Sequence, residues 1–129
     1  MRLKRIDHLA LVSADAVQSR DWYVSVLGME WVYQGEWEDN PYFLRKGETC
    51  LAIFQSGKDA GRQPREGVRL DHFAFLAETR EDFQDAREEL SARGIAHDFQ
   101  DHKISWSVYF RDPDGHVVEI TTYDISVDG

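Results

Sequence analysis

Two histidines and one glutamate are the residues of this sequence best suited to chemistry. His8 lies in Ile6-Asp7-His8-Leu9-Ala10-Leu11, His72 in Leu70-Asp71-His72-Phe73-Ala74-Phe75, and Glu119 in Val117-Val118-Glu119-Ile120-Thr121-Thr122. Each segment alternates as a strand does, which puts His8 and Ala10 on one face of the first. In the last, Val117, Glu119, Thr121 and Tyr123 share one face, and Val118, Ile120 and Thr122 the other. A carboxylate in mid-strand is costly to bury unless something positive compensates it. An Arg or Lys partner, or simple exposure, would resolve that cost, and so would a metal ion. If the sheets curl toward each other, His8, His72 and Glu119 meet in one concavity. Two imidazoles and a carboxylate suit iron(II), manganese or another octahedral-leaning divalent metal, with positions left open for substrate or oxygen. Zinc is also compatible with these ligand types. Both imidazoles must be neutral to bind, so metal affinity is expected to fall at acid pH.

The elements that must position these residues form a repeat. The pattern apolar-Asp-His-apolar-Ala-apolar occurs twice, 64 residues apart, and such a duplication constrains the fold more than any single motif. After the first copy Asp15 can cap a helix with apolar positions Val17, Trp22, Val26 and Leu27, stopped by Gly28. After the second, Thr79 can cap a helix carrying Phe83, Ala86 and Leu90, stopped by Gly94. Short strands follow each helix: 30–33, 41–44 and 50–54 in the first copy, 96–100, 106–111 and 117–123 in the second. The last two are joined by Asp112-Pro113-Asp114-Gly115, in which Pro presets a turn dihedral and Gly supplies a positive φ. The expectation is an α+β fold of two tandem βαβββ modules, 3–57 and 68–124, with 58–67 as the connector. Trp22 is expected in the core. Trp37, in a polar turn, admits two readings: a plain turn residue, or one that lines a pocket or an interface.

A length of 129 residues accommodates one unit with a real core but not two independent domains of ordinary size. With 42% hydrophobic and 30% charged residues the chain reads as globular. A net charge of −9 disfavours a phosphate backbone or an anionic membrane surface as partner. The single Cys50 cannot form an internal disulfide, which points to a reducing, cytoplasmic setting. The N-terminus runs into the first strand without a signal-type apolar segment, and no stretch reaches membrane-spanning length.

On these motifs, together with Trp22-Tyr23-Val24-Ser25-Val26-Leu27-Gly28-Met29 and Asp112 through Glu119, the chain resembles the vicinal oxygen chelate superfamily. That group includes glyoxalase I, extradiol ring-cleaving dioxygenases and fosfomycin-modifying thiol transferases. The resemblance implies an eight-stranded curved mixed-sheet cup around a divalent metal, commonly in a homodimer. It also implies that Tyr109 and His102, which match the extradiol pattern of a His, an apolar-Tyr pair, a Pro turn and a Glu, hydrogen-bond the bound substrate or oxygen. Gln100 departs from that pattern, and residues 9–71 lack the further acid/base histidine common in extradiol enzymes. A four-ligand glyoxalase site is disfavoured because 50–55 contain no acid.

The leading functional reading is a metal-dependent enzyme that chelates two adjacent oxygens of a small substrate. With iron(II) it would be of the extradiol dioxygenase type, His8, His72 and Glu119 holding the metal. A glyoxalase-type lyase or isomerase, or a fosfomycin-type thiol transferase, using manganese, nickel or zinc is the alternative. A metal-free, bleomycin-resistance-like drug-binding module is the third reading, although it would need none of the three ligands.

Overall fold

The computed structural model describes residues 1–57 and 66–125. The expected connector 58–67 lies outside the described residues except for its last two positions. The element order is β1 (Leu9–Ser13), α1 (Ala16–Leu27), β2 (Glu30–Val32), a 3-10 turn (Glu36–Asp39), β3 (Tyr42–Lys46), β4 (Thr49–Gln55), β5 (Phe73–Leu76), α2 (Arg80–Ala92), β6 (His97–Asp101), β7 (Trp106–Arg111) and β8 (Val117–Thr122). The chain divides into two units, Met1–Arg65 and Glu66–Gly129. Among the described residues each holds one α-helix and one four-stranded sheet, ordered β1-β4-β3-β2 in the first and β5-β8-β7-β6 in the second. In both, the opening strand runs parallel to the last strand and the remaining pairs are antiparallel. This is the α+β architecture of repeated βαβββ modules.

Local signals fix both helices where the sequence placed them. The Asp15 carboxylate accepts the Gln18 N–H at 3.1 Å, and Gly28, at φ 69°, closes α1 in the left-handed conformation that glycine adopts without steric cost. Thr79 accepts the Asp82 N–H at 3.0 Å, while Glu81 and Asp82 complement the positive end of the α2 dipole.

Packing against the sheets is only partly as expected. In α2, Phe83 and Leu90 are buried, on the stripe that the spacing predicts. In α1 the buried residues are Ala16, Ser19 and Tyr23, whereas Val17 is exposed and Trp22 only half-buried. Ala16, Ser19 and Tyr23 also recur at helical spacing. The small Ala16 and Ser19 let the helix approach closely, and Tyr23 fills the core in place of Trp22.

The outer rims of the two helix–sheet layers share a device. Arg20 on α1 lies 4.4 Å from the Trp31 ring centre and 4.7 Å from that of Tyr42. On α2, Arg87 lies 4.4 Å from Phe99 and Arg80 5.3 Å from Trp106. Each guanidinium covers aromatic surface while remaining able to reach water. One consequence for the site follows from pairing: the ladders begin at Leu9–Leu51 and Phe73–Val118. His8 and His72 therefore stand immediately before β1 and β5 rather than within strands as expected.

Candidate metal centre

In the second unit the register sets Ala74, Glu119, Tyr109 and Asp98 side by side across β5, β8, β7 and β6. Leu76, Thr121, Ser107 and Gln100 form the next row on that face. The opposite face carries Phe99 and Trp106, which pack with Phe83 of α2. His72, two residues before Ala74, continues the Glu119 face.

Glu119 is buried, with 8% of its surface exposed. Its Oε2 accepts the Ser107 hydroxyl at 2.5 Å, and its Oε1 faces His72 Nε2 at 3.0 Å. The other imidazole nitrogen, Nδ1, lies 2.7 Å from Asp71 Oδ2. Both ring nitrogens thus face carboxylate oxygens. A neutral imidazole has a donor on one side only, so in the absence of a cation the arrangement favours imidazolium. Accordingly the Asp71 hydrogen bond, aided by the Glu119 charge and opposed by burial, raises the His72 pKa above 6.5. Asp71 is lowered in return, chiefly by its hydrogen bond to His72.

Tyr109 and His102 join this group. The Tyr109 hydroxyl is 3.1 Å from His102 Nε2, and its ring centre is 5.7 Å from that of His72. Burial first, and then the Glu119 charge, push the phenol pKa above 10, so Tyr109 keeps its proton near neutrality and can donate it in a hydrogen bond. A cavity of about 500 Å³, lined in part by Asp98, Tyr109, Arg111 and Val117, opens beside it.

His8 belongs to the first unit, where it repeats the His72 arrangement. Its Nδ1 lies 2.9 Å from Asp7 Oδ2, and its ring centre is 5.6 Å from that of Phe43. An Asp on Nδ1 fixes ring orientation and leaves the Nε2 lone pair for a ligand, as outer carboxylates do at metal-bound histidines. The first sheet differs in what surrounds it. Ala10, Ala52, Phe43 and Val32 form the row that corresponds to Ala74, Glu119, Tyr109 and Asp98. Ala52 therefore takes the place of the carboxylate, and Phe43 that of the tyrosine. Phe43 also meets Tyr33 at 5.6 Å and Trp37 at 6.0 Å between ring centres.

Among the described residues Asp112, Asp114 and His116 also bring ligand atoms within 4.8 Å of one another. Asp112, buried, accepts the N–H groups of Asp114 and His116 and contacts His116 Nδ1 at 2.7 Å. Those bonds lock the turn before β8 and account for the grouping. Of the five residues singled out from sequence, His72, Glu119, Tyr109 and His102 gather in the second unit, and His8 sits at the matching position in the first. Asp7, Asp71 and Ser107 were missed. The Asp-His doublet was visible in both copies of the repeat, whereas the Ser107–Glu119 bond depends on strand register.

The family model of the Glyoxalase/Bleomycin resistance protein/Dioxygenase superfamily matches residues 5–120. The chain belongs to this superfamily. Among curated superfamily relatives, a biphenyl-2,3-diol 1,2-dioxygenase of Rhodococcus globerulus is 29% identical over 116 residues, covering 88% of this chain and 60% of its own length. The chain thus spans about three fifths of that relative. The glutathione transferase FosA of Serratia marcescens is 30% identical over 122 residues, covering 92% of this chain and 80% of its own length. Among solved structures, a lactoylglutathione lyase from Agrobacterium tumefaciens shares the superfamily fold with a TM-score of 0.79 at 23% identity, covering 95% of this chain and 96% of its own. Superfamily enzymes act on small molecules. Among the described residues no helix is long and apolar enough to cross a membrane.

Proposed function

We propose that His8, His72 and Glu119 hold a divalent metal, iron(II) by preference, and that the protein is an extradiol-type dioxygenase acting on a small substrate with adjacent oxygens. The observation that carries the reading is His72 clamped between two carboxylates, one of which, Glu119, is buried and has no Lys or Arg partner among the described residues. The donor set fits a divalent cation. His72 and Glu119 would hold such an ion in place of the proton now between them, and neither group would be left unpaired.

When bound, the metal acts as a Lewis acid and template for the two oxygens of the substrate. The chain's own residues supply the rest. Asp7 and Asp71 hold each imidazole in the tautomer that presents Nε2. Ser107 restrains one Glu119 oxygen. Tyr109, kept protonated, donates toward a substrate oxygen, and His102, whose Nε2 lies 3.1 Å from the Tyr109 hydroxyl, orients that hydroxyl and hydrogen-bonds bound substrate or oxygen. The reading treats 1–129 as one domain in which modules 3–57 and 68–124 cooperate, and takes the active particle to be a cytoplasmic homodimer.

The FosA likeness, which covers most of that enzyme's length, supports thiol transfer with manganese, nickel or zinc as the alternative. One experiment separates them. Protein loaded anaerobically with iron(II) is given oxygen and a panel of catechols, and oxygen uptake is followed. Uptake with ring-cleaved product supports the dioxygenase. No uptake across the panel, together with thiol consumption when manganese, glutathione and an epoxide are supplied, sinks it in favour of the transferase.

A further inference from the structure

We infer that Arg111 sets the specificity of this site by binding a carboxylate, so that the substrate carries that group in addition to its two adjacent oxygens. The inference deepens the reading above and rests on it only for where the adjacent oxygens lie. Position is the first observation. Arg111 stands two residues beyond Tyr109 on β7, on the face that carries Glu119, and pairs with Val117 of β8. Two residues along a strand span roughly 7 Å. Ala96, Asp98, Tyr109, Arg111 and Val117, all of that face, line the cavity of about 500 Å³, and Arg111 is its one permanently charged cation. The volume suits a small molecule.

The second observation is that the guanidinium is held in place without being neutralised. Its Nη1 donates to the Gly115 carbonyl at 2.7 Å, and among the described residues no carboxylate pairs with it. The remaining N–H groups of the fork match a planar oxyanion, which Arg can bind through two parallel hydrogen bonds. Asp98, the acid of the same cavity, accepts the Gln100 side-chain N–H at 3.1 Å. Gln100 lies in the row on the far side of Tyr109 from Arg111.

The duplication supplies the third. Arg45 takes the corresponding place in the first sheet, two residues beyond Phe43 on β3 and paired with Cys50. It lines a cavity of about 320 Å³, and among the described residues it makes no hydrogen bond or ion pair. Three of the four residues in the central row differ between the sheets, yet the arginine one row further is the same in both. In neither unit is it spent on an internal ion pair, so the position offers a cation to the cavity. Tyr109 and Arg111 then divide the substrate between them, the phenol serving one of the adjacent oxygens and the guanidinium the carboxylate.

The test uses the metal-free full chain, with binding followed by calorimetry. The probe is 3-cyclohexylpropanoate, and 3-cyclohexylpropanamide is the uncharged comparator of the same shape. The carboxylate is expected to bind roughly three- to tenfold more tightly than the amide. Arg111→Gln should abolish that preference and leave amide affinity unchanged, whereas Arg111→Lys should keep part of it, as a point charge without the fork. Were Arg111 only a clip on the turn at Gly115, Arg111→Gln would weaken both probes alike or neither. Arg87→Gln, the same charge change on the outer rim, should preserve the preference. In wild type, raising ionic strength from about 0.05 to 0.5 M should weaken the carboxylate and spare the amide. Because no metal is present, a missing preference counts against Arg111 alone, while a protein that takes up no metal counts against His8, His72 and Glu119 alone. Equal affinity for the two probes in wild type, a preference that survives Arg111→Gln, or an equal loss in Arg87→Gln would overturn the inference.

Discussion

The two units are built on one plan and furnished differently. Each has the same strand order, a capped helix, Arg over aromatic rings on the outer side, and a histidine whose Nδ1 is held by the preceding Asp at 2.9 or 2.7 Å. Yet the central row reads Ala10, Ala52, Phe43, Val32 in one sheet and Ala74, Glu119, Tyr109, Asp98 in the other. Substituting side chains at fixed register has made one face apolar and the other a hydrogen-bonding surface. The scaffold sets position, and the few residues that differ set chemistry.

The largest expected effect comes from erasing the difference. Glu119→Ala, which gives the second sheet the residue of the first, should lower metal affinity by more than the roughly 10–100-fold that an outer partner is worth. Elemental analysis after dialysis against a chelator measures this, and full retention of metal would break the comparison. Next come the features the units share. Asp7→Asn and Asp71→Asn should each weaken binding by about 10–100-fold, and a loss in one alone would mean that only one histidine is a ligand.

Smaller changes address stability. Ser107→Ala removes the hydroxyl from the buried Glu119 oxygen, and denaturant titration of metal-free protein should register a loss of about 1–3 kcal/mol. The two helix caps should respond alike: Asp15→Ala and Thr79→Ala are each expected to cost about 1 kcal/mol. A clearly larger cost for one would show that the duplication is geometric without being energetic.

The pH response should be modest. The His72 pKa is raised above 6.5, first by Asp71 and then by Glu119. In metal-free protein this stabilisation is present in full below the unfolded value and disappears as pH rises through the folded one. Denaturation midpoints between about pH 5.5 and 8.5 should therefore show the wild-type advantage over His72→Gln shrinking with pH. An advantage that grows with pH contradicts the double carboxylate clamp. Metal loading has the opposite dependence, because proton and cation compete for the same Nε2.

Much of the plan was legible in the sequence because it rests on local chemistry. Asp15, Gly28 and Thr79 fix helix ends through their own backbone preferences, and the repeated Asp-His doublet revealed the duplication. What escaped depends on tertiary context. The spacing of Val17 and Trp22 suggested a buried stripe, but α1 is nearly as apolar outside as inside, and only packing selects Ala16, Ser19 and Tyr23. Trp37 was noticed as a residue that could line a pocket. Its partners Tyr33 and Phe43 were not, because left-handed backbone at Tyr33 and Trp37 has no reliable residue signature. Strand alternation alone puts Ser107 on the Tyr109 face, but its bond to Glu119 follows only from the β7–β8 register.

The alanine at position 52 bears on which molecules the site would attract. Under the proposed ligand set, a doubly charged cation meets two uncharged imidazoles and one carboxylate, and so retains a single unit of positive charge. An acid at position 52 would cancel it. On that ligand set the centre would complement a monoanion, and a diol or hydroxy acid that has shed one proton would be favoured over its neutral form.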